Sequence, residues 1–108
     1  MALSAKKPSR ARLSRPEIDA AAARLSPPWK IEDGALCAEW RFSDFAAVAK
    51  MTRAVLRLSE KTDHHPHAEF GYDRFRVRYI THSAGGLSAL DFYCAAEISA
   101  AVRRCLRA

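Results

Sequence analysis

Hydrophobic and polar positions along the chain sort into helix-like and strand-like segments. Ser14-Arg15-Pro16-Glu17 has the form of a capping box, in which Ser14 caps a helix and Glu17 reaches back to its amide. Leu13 and Ile18 stand where a hydrophobic staple closes, and the alanine-rich stretch 15–25 continues as helix until Pro27-Pro28 stops it. Two extended segments follow, 29–32 and 36–42, joined by Asp33-Gly34, a dipeptide that supplies the positive φ of a tight strand turn. In the second, Leu36, Ala38, Trp40 and Phe42 alternate with Cys37, Glu39 and Arg41, which predicts one buried and one open face.

Ser43-Asp44 opens a longer helix over 44–62, with Phe45, Val48, Met51, Val55 and Leu58 forming one apolar stripe. Lys50, Arg53, Arg57 and Lys61 fall mostly off that stripe, and His65-Pro66 ends the helix. A second strand pair covers 68–72 and 75–82, with Asp73-Arg74 at its tip, which sets Tyr72 opposite Phe75 and Phe70 opposite Val77. Phe75, Val77, Tyr79 and Thr81 share one face; Arg74, Arg76, Arg78, Ile80 and His82 share the other. After Gly85-Gly86, Ser88-Ala89-Leu90-Asp91 repeats the capping-box form and starts a final helix over 89–106. The order α-β-β-α-β-β-α predicts an α+β fold, a four-stranded antiparallel sheet with helices packed on one face.

Composition agrees with a single globular domain: 108 residues, 49% hydrophobic and 28% charged, which excludes a disordered or collagen-like chain. The net charge of +6 is unevenly placed. Lys6, Lys7, Arg10, Arg12 and Arg15 precede any acid, whereas the chain from Glu17 onward is nearly balanced. We expect residues 1–13 to be a basic, flexible tail and 14–108 a single domain, which disfavours a nucleic-acid partner. Three cysteines without CxxC spacing fit a reducing compartment. No apolar run reaches the ~20 residues of a membrane span and no signal-peptide core is present, so the expected location is cytoplasmic.

The candidate chemistry lies in the histidines, all four of which fall between residues 64 and 82. Three surround one proline; the fourth ends a hairpin strand that brings it back beside them. Surface histidines about a helix-stopping proline are one reading. A zinc site drawn from Glu60, His64 and His65-x-His67 is a second, disfavoured because no HExxH or cysteine-pair motif accompanies it. Metal-free acid–base chemistry is the third, since imidazole exchanges protons near neutral pH.

The spacing Glu60-x3-His64-His65-Pro66-x5-Tyr72-x9-His82-x8-Asp91 resembles the signature of the pterin-4a-carbinolamine dehydratases, also known as dimerisation cofactors of a homeodomain transcription factor. Trp29, Phe42, Asp44-Phe45, Thr81 and Gly86-Leu87 add to the likeness, which covers about residues 14–106. His67 departs from it, standing where an acidic residue is common. The resemblance implies dehydration of a 4a-hydroxytetrahydropterin to the quinonoid dihydropterin, with pterin as substrate and neither cofactor nor metal. It also implies a homodimer or homotetramer and, as an alternative role, a non-enzymatic module that binds a transcription factor's dimerisation helices.

On this reading His64, His65 and His82 line the pterin pocket and share proton transfer. Glu60 either orients an imidazole or is an exposed helix carboxylate. Asp91 either faces the pocket or caps the last helix. Pro66 fixes the backbone between the histidines and the next strand, Asp63 and Thr81 are supporting candidates, and Trp29 belongs to the core.

Overall fold

A computed structural model describes residues 8–107. The chain runs α1 (Arg15–Ala22), β1 (Lys30–Glu32), β2 (Ala35–Arg41), α2 (Phe45–Thr62), β3 (His67–Phe70), β4 (Arg74–Tyr79) and α3 (Ala89–Arg107), with a 3₁₀ turn at His82–Ala84. The four strands form one antiparallel sheet in the order β1-β2-β4-β3. The expected α+β architecture is the observed one. Among the described residues, no helix is long and apolar enough to cross a membrane.

The helix starts follow their local chemistry. The Ser14 hydroxyl accepts from the Glu17 amide and Glu17 Oε1 accepts from the Ser14 amide at 2.8 Å, which completes the capping box. The helix then stops at Ala22, three residues before the expected end. Arg24 and Leu25 donate to the carbonyls three residues back, so the last turn tightens ahead of the prolines. Asp44 caps α2 by accepting from the Ala47 amide at 3.0 Å.

Side chains from α2, α3, β2 and β4 make one core: Val48, Met51, Val55 and Leu58 meet Leu36, Ala38, Phe75, Val77 and Tyr79, with Leu90, Cys94 and Ile98 of α3. Trp29 packs against this core, edge-on to Trp40 at 5.5 Å, and donates its indole N–H to Ser99 at 2.8 Å. The apolar stripe of α2 is buried as its period requires, except at its first member. Phe45 is 45% exposed because it lies at the helix start, beyond the sheet-covered core. It stacks instead on Tyr72 and leans on Phe70, ring centroids 6.5 and 6.2 Å away. Cys37 also departs from expectation: it lies on the outer sheet face yet is buried, a short side chain flanked in register by Lys30 and Arg78.

The second hairpin differs from the expected pairing. Phe70 stands opposite Phe75 and Ala68 opposite Val77, a shift of two residues. The tip is wider because Gly71 donates to the Arg74 carbonyl while the Asp73 carbonyl is taken by the Phe42 amide of the neighbouring chain segment. An even shift keeps every side chain on its predicted face, so Phe75, Val77, Tyr79 and Thr81 are all buried. The opposite face carries exposed ion pairs: Glu32 with Lys30 and Arg76, Glu39 with Arg41 and Arg74, and Asp73 with Arg41. The basic face of β4 thus meets acids of its own sheet.

Residues 1–7 of the expected tail lie outside the described residues. Residues 9–13, counted with that tail in the sequence, are bound to the domain instead. The Leu13 amide donates to the Leu87 carbonyl at 2.8 Å, the Leu90 amide donates to the Ser9 carbonyl at 3.1 Å, and Arg12 bridges Ser88. A start of α3 with unpaired backbone groups supplies the partners that composition does not show.

Asp33 and Gly34 both have positive φ, 50° and 76°, as a two-residue hairpin turn of right-handed twist demands. Gly34→Ala is expected to lower unfolding free energy by about 1 kcal/mol. Gly71→Ala, where an added Cβ meets open space and φ is ordinary, is expected to change it by under about 0.5 kcal/mol. Urea denaturation of the two variants checks the difference.

Candidate active site

The α2 helix ends on Asp63, whose φ of 52° and ψ of 43° place it in the left-handed region and turn the chain sharply. His64 follows the turn and is buried, 6% exposed. Its Nε2 lies 2.6 Å from Asp91 Oδ1, joining the end of α2 to the first turn of α3. Asp91 is wholly buried, and a carboxylate removed from water needs donors on both oxygens. Oδ2 accepts from the Ser88 amide at 2.9 Å and from the Thr81 hydroxyl at 2.7 Å. With the Thr81 proton directed at Asp91, the Ser88 hydroxyl, 2.7 Å from Thr81, is the donor of that pair.

Of the two readings of Asp91, the helix cap is the observed one. Oδ2 caps α3 and Oδ1 holds His64. With Asp91 Oδ1 accepting, the proton of this bond sits on His64 Nε2. The Tyr79 ring stacks on His64 with centroids 5.5 Å apart and planes 28° from parallel. The Tyr79 hydroxyl is buried with no hydrogen-bond partner among the described residues, and burial raises the phenol far above its ordinary range. Burial also pushes the Cys94 thiol up to about 11. Both groups stay neutral near pH 7, so the ring stacked on His64 is uncharged.

The other histidines are at the surface. His65 is exposed beside half-buried Pro66. His82 is exposed at the start of the 3₁₀ turn, directly after Thr81. Thr81 and Gly86 bridge one another, amide to carbonyl, and close the loop that carries His82. His82 is thus anchored, through its neighbour, to the carboxylate that holds His64. His67 pairs with Glu69 at 3.1 Å on the exposed edge strand. Glu60 is exposed on α2 and makes no bond to an imidazole among the described residues. Asp63 contributes its backbone turn, with its side chain exposed.

The structure joins His64, Thr81 and Asp91 in one buried network. Tyr79 and Ser88 belong to it as well; the strand alternation marked Tyr79 only as core and the capping box marked Ser88 only as a cap. Arg10 reads in the sequence only as one charge of the basic tail, with no pattern that marks it as part of the site. Its Nη2 donates to the carbonyls of Thr62 and Asp63 at 2.9 and 2.7 Å.

A four-stranded antiparallel sheet backed by helices, with a buried aspartate–histidine pair at a helix junction beside exposed histidines, defines a class of small α+β protein. The family model described as pterin 4 alpha carbinolamine dehydratase matches residues 11–101, and the chain belongs to that family. A relative from Paracoccus denitrificans (strain Pd 1222), provisionally named a pterin-4-alpha-carbinolamine dehydratase, is 43% identical over 91 residues, 82% of this chain and 84% of its own. One from Stenotrophomonas maltophilia (strain K279a), with the same provisional name, is 42% identical over 76 residues, 68% of this chain and 66% of its own. A crystal structure from Brucella melitensis, described as a transcriptional coactivator/pterin dehydratase, superposes with a TM-score of 0.80 at 30% identity, covering 84% of this chain and 98% of that one. A pterin dehydratase-like protein described as a RuBisCO assembly factor shares the fold, with a TM-score of 0.59 at 21% identity over 73% of this chain and 92% of its own.

Two outcomes test the network. Asp91→Asn leaves one acceptor for the donors of Ser88, Thr81 and His64, and is expected to cost about 3 kcal/mol of stability, measured by urea denaturation at pH 7. The second concerns pH. The Cys94 thiol has a folded pKa of about 11 against an ordinary 9.0, so the unfolded chain releases this proton first. Its stabilising contribution is complete below pH 9 and is lost as pH rises through about 11. The denaturation midpoint should fall over that window, and less so in Cys94→Ala.

Proposed function

We propose that this protein dehydrates a 4a-hydroxytetrahydropterin to the quinonoid dihydropterin by histidine acid–base catalysis, in the recycling of a tetrahydrobiopterin-type cofactor. The observation that carries the reading is the His64–Asp91 pair, an imidazole whose Nε2 lies 2.6 Å from a wholly buried carboxylate. Family membership supports the substrate class. In the reaction the C4a–O bond breaks as a proton reaches the hydroxyl, which leaves as water. The adjacent ring nitrogen gives up its proton, and its electron pair forms the new C=N bond, with no net redox change.

His64 serves as the base, and the exposed His65 and His82 contact the hydroxyl and deliver its proton. Thr81 and Asp91 hold the imidazole, while Pro66, Glu60 and Asp63 shape the approach at the end of α2. The full set of histidines at the motif positions, which a solely interacting role does not require, favours the enzyme over such a role. Binding of protein, including a second copy of the chain, is supported by the exposed edge strand β3 and the exposed Phe45, Phe70 and Tyr72 beside it. A reducing, cytoplasmic setting fits the free thiols of Cys37, Cys94 and Cys105.

The test generates the 4a-hydroxypterin with an aromatic amino-acid hydroxylase and follows its loss optically. The protein is expected to accelerate that loss, and dehydration at the spontaneous rate refutes the activity. His65→Ala and His82→Ala are each expected to slow it about 10²-fold. Both residues are exposed, so unfolding free energy should move by no more than about 0.5 kcal/mol. Full activity in both variants would relocate the proton chemistry.

A further inference from the structure

We propose that Arg10 is a positioning residue for His64, a role that rests on the dehydratase reading and lies outside the 11–101 span of the family match. One guanidinium nitrogen, Nη2, donates to both the Thr62 and the Asp63 carbonyl. These are the final carbonyls of α2, where helical bonds run out and the negative end of the helix dipole gathers. Asp63 is held in the left-handed region there, and the direction in which the chain leaves that turn decides where the His64 ring lies.

A surface arginine on two carbonyls is by itself only a helix cap. The backbone of Arg10 makes it more. On one side Ser9 accepts from Leu90, and on the other Leu13 donates to Leu87. Between them Arg12 bridges Ser88, whose amide is a donor to Asp91. Arg12 also lies across Gly86, where an added Cβ would come within 3.2 Å of its Nε. The main chain of this segment is therefore fixed to the start of α3, while the Arg10 side chain reaches the end of α2. Those are the two elements that the His64–Asp91 bond joins. Arg10 braces that junction from outside, keeps the Asp63 turn from relaxing, and so keeps the imidazole within 2.6 Å of its carboxylate. The core packs between the helices and the sheet, so the fold does not depend on the brace.

Full-length Arg10→Ala, Arg10→Lys and, as a charge control, Arg15→Ala test this. Arg15 is in the same region, and its side chain is 85% exposed and, among the described residues, paired only with Asp19. Two readouts are taken from each: the downfield proton resonance of the His64 Nε2–H in its short bond to Asp91, and kcat and KM for dehydration. For Arg10→Ala we expect the resonance to broaden or move upfield and kcat to fall about tenfold, with KM within about twofold. Arg10→Lys, which keeps a donor for one carbonyl, should restore kcat to within about threefold of the parent. Arg15→Ala should match the parent in both. Parent values for Arg10→Ala in both readouts would overturn the proposal, as would an equal loss in Arg15→Ala. If Arg10→Ala fails to fold, Arg10→Lys decides: a resonance shifted from the parent position with kcat lowered about two- to threefold, neither change appearing in Arg15→Ala, supports the brace, and parent values in both readouts overturn it. Absence of dehydration in the parent would defeat the enzymatic reading alone, since the resonance still reports on the brace.

Discussion

The site depends on one buried carboxylate. Asp91 has no contact with solvent, and removing such a charge from water costs several kcal/mol unless donors replace the lost hydration. Each donor comes from a different part of the chain: His64 from the end of α2, Thr81 from beyond β4, and Ser88 from the loop before α3. The need to satisfy Asp91 therefore forces three separate backbone segments into one place. His82, the neighbour of Thr81, and His65, the neighbour of His64, are exposed next to these held residues in the chain. A polar group that would be a liability in most cores becomes here the point from which the candidate site is arranged.

The surroundings of that carboxylate are chemically quiet. Tyr79 and Cys94 stay protonated because burial opposes their charged forms, so the His64 ring meets a flat, neutral backing on one side and a fixed acceptor at Nε2. Charges are instead concentrated outside. Glu32, Glu39 and Asp73 pair with arginines and a lysine on the outer face of the sheet, where exposure to water leaves such pairs worth little for stability. The separation lets the histidine site respond to its own hydrogen bonds rather than to the net charge of the chain.

Much of the fold was legible where the governing interaction is local. The Ser14–Glu17 capping box, the Asp33-Gly34 turn and the period of α2 each involve residues within a few positions of one another, and each appears in the structure with the geometry its pattern demands. The departures share a cause. Phe70 pairs with Phe75 rather than Val77 because the amide of Phe42, from another strand's end, captures the Asp73 carbonyl. Cys37 is buried because of what flanks it across the sheet, not because of its own strand alternation. Phe45 escapes burial because the core ends before the helix does.

The sequence by itself determined the helix starts, the inward faces of β2 and β4, the α-β-β-α-β-β-α order and the histidine spacing that resembles the dehydratase signature. These rest on backbone sterics, capping and periodicity, which act over at most a few turns of chain. Only the tertiary structure decided that Asp91 caps a helix and grips His64 with the same carboxylate, that Tyr79 backs the imidazole, and that Arg10 belongs to the domain rather than to a tail. The grip on His64 and the place of Arg10 turn on hydrogen bonds between residues 10 to 53 positions apart, and Tyr79 meets the imidazole by ring stacking, contacts that only the packed core brings together.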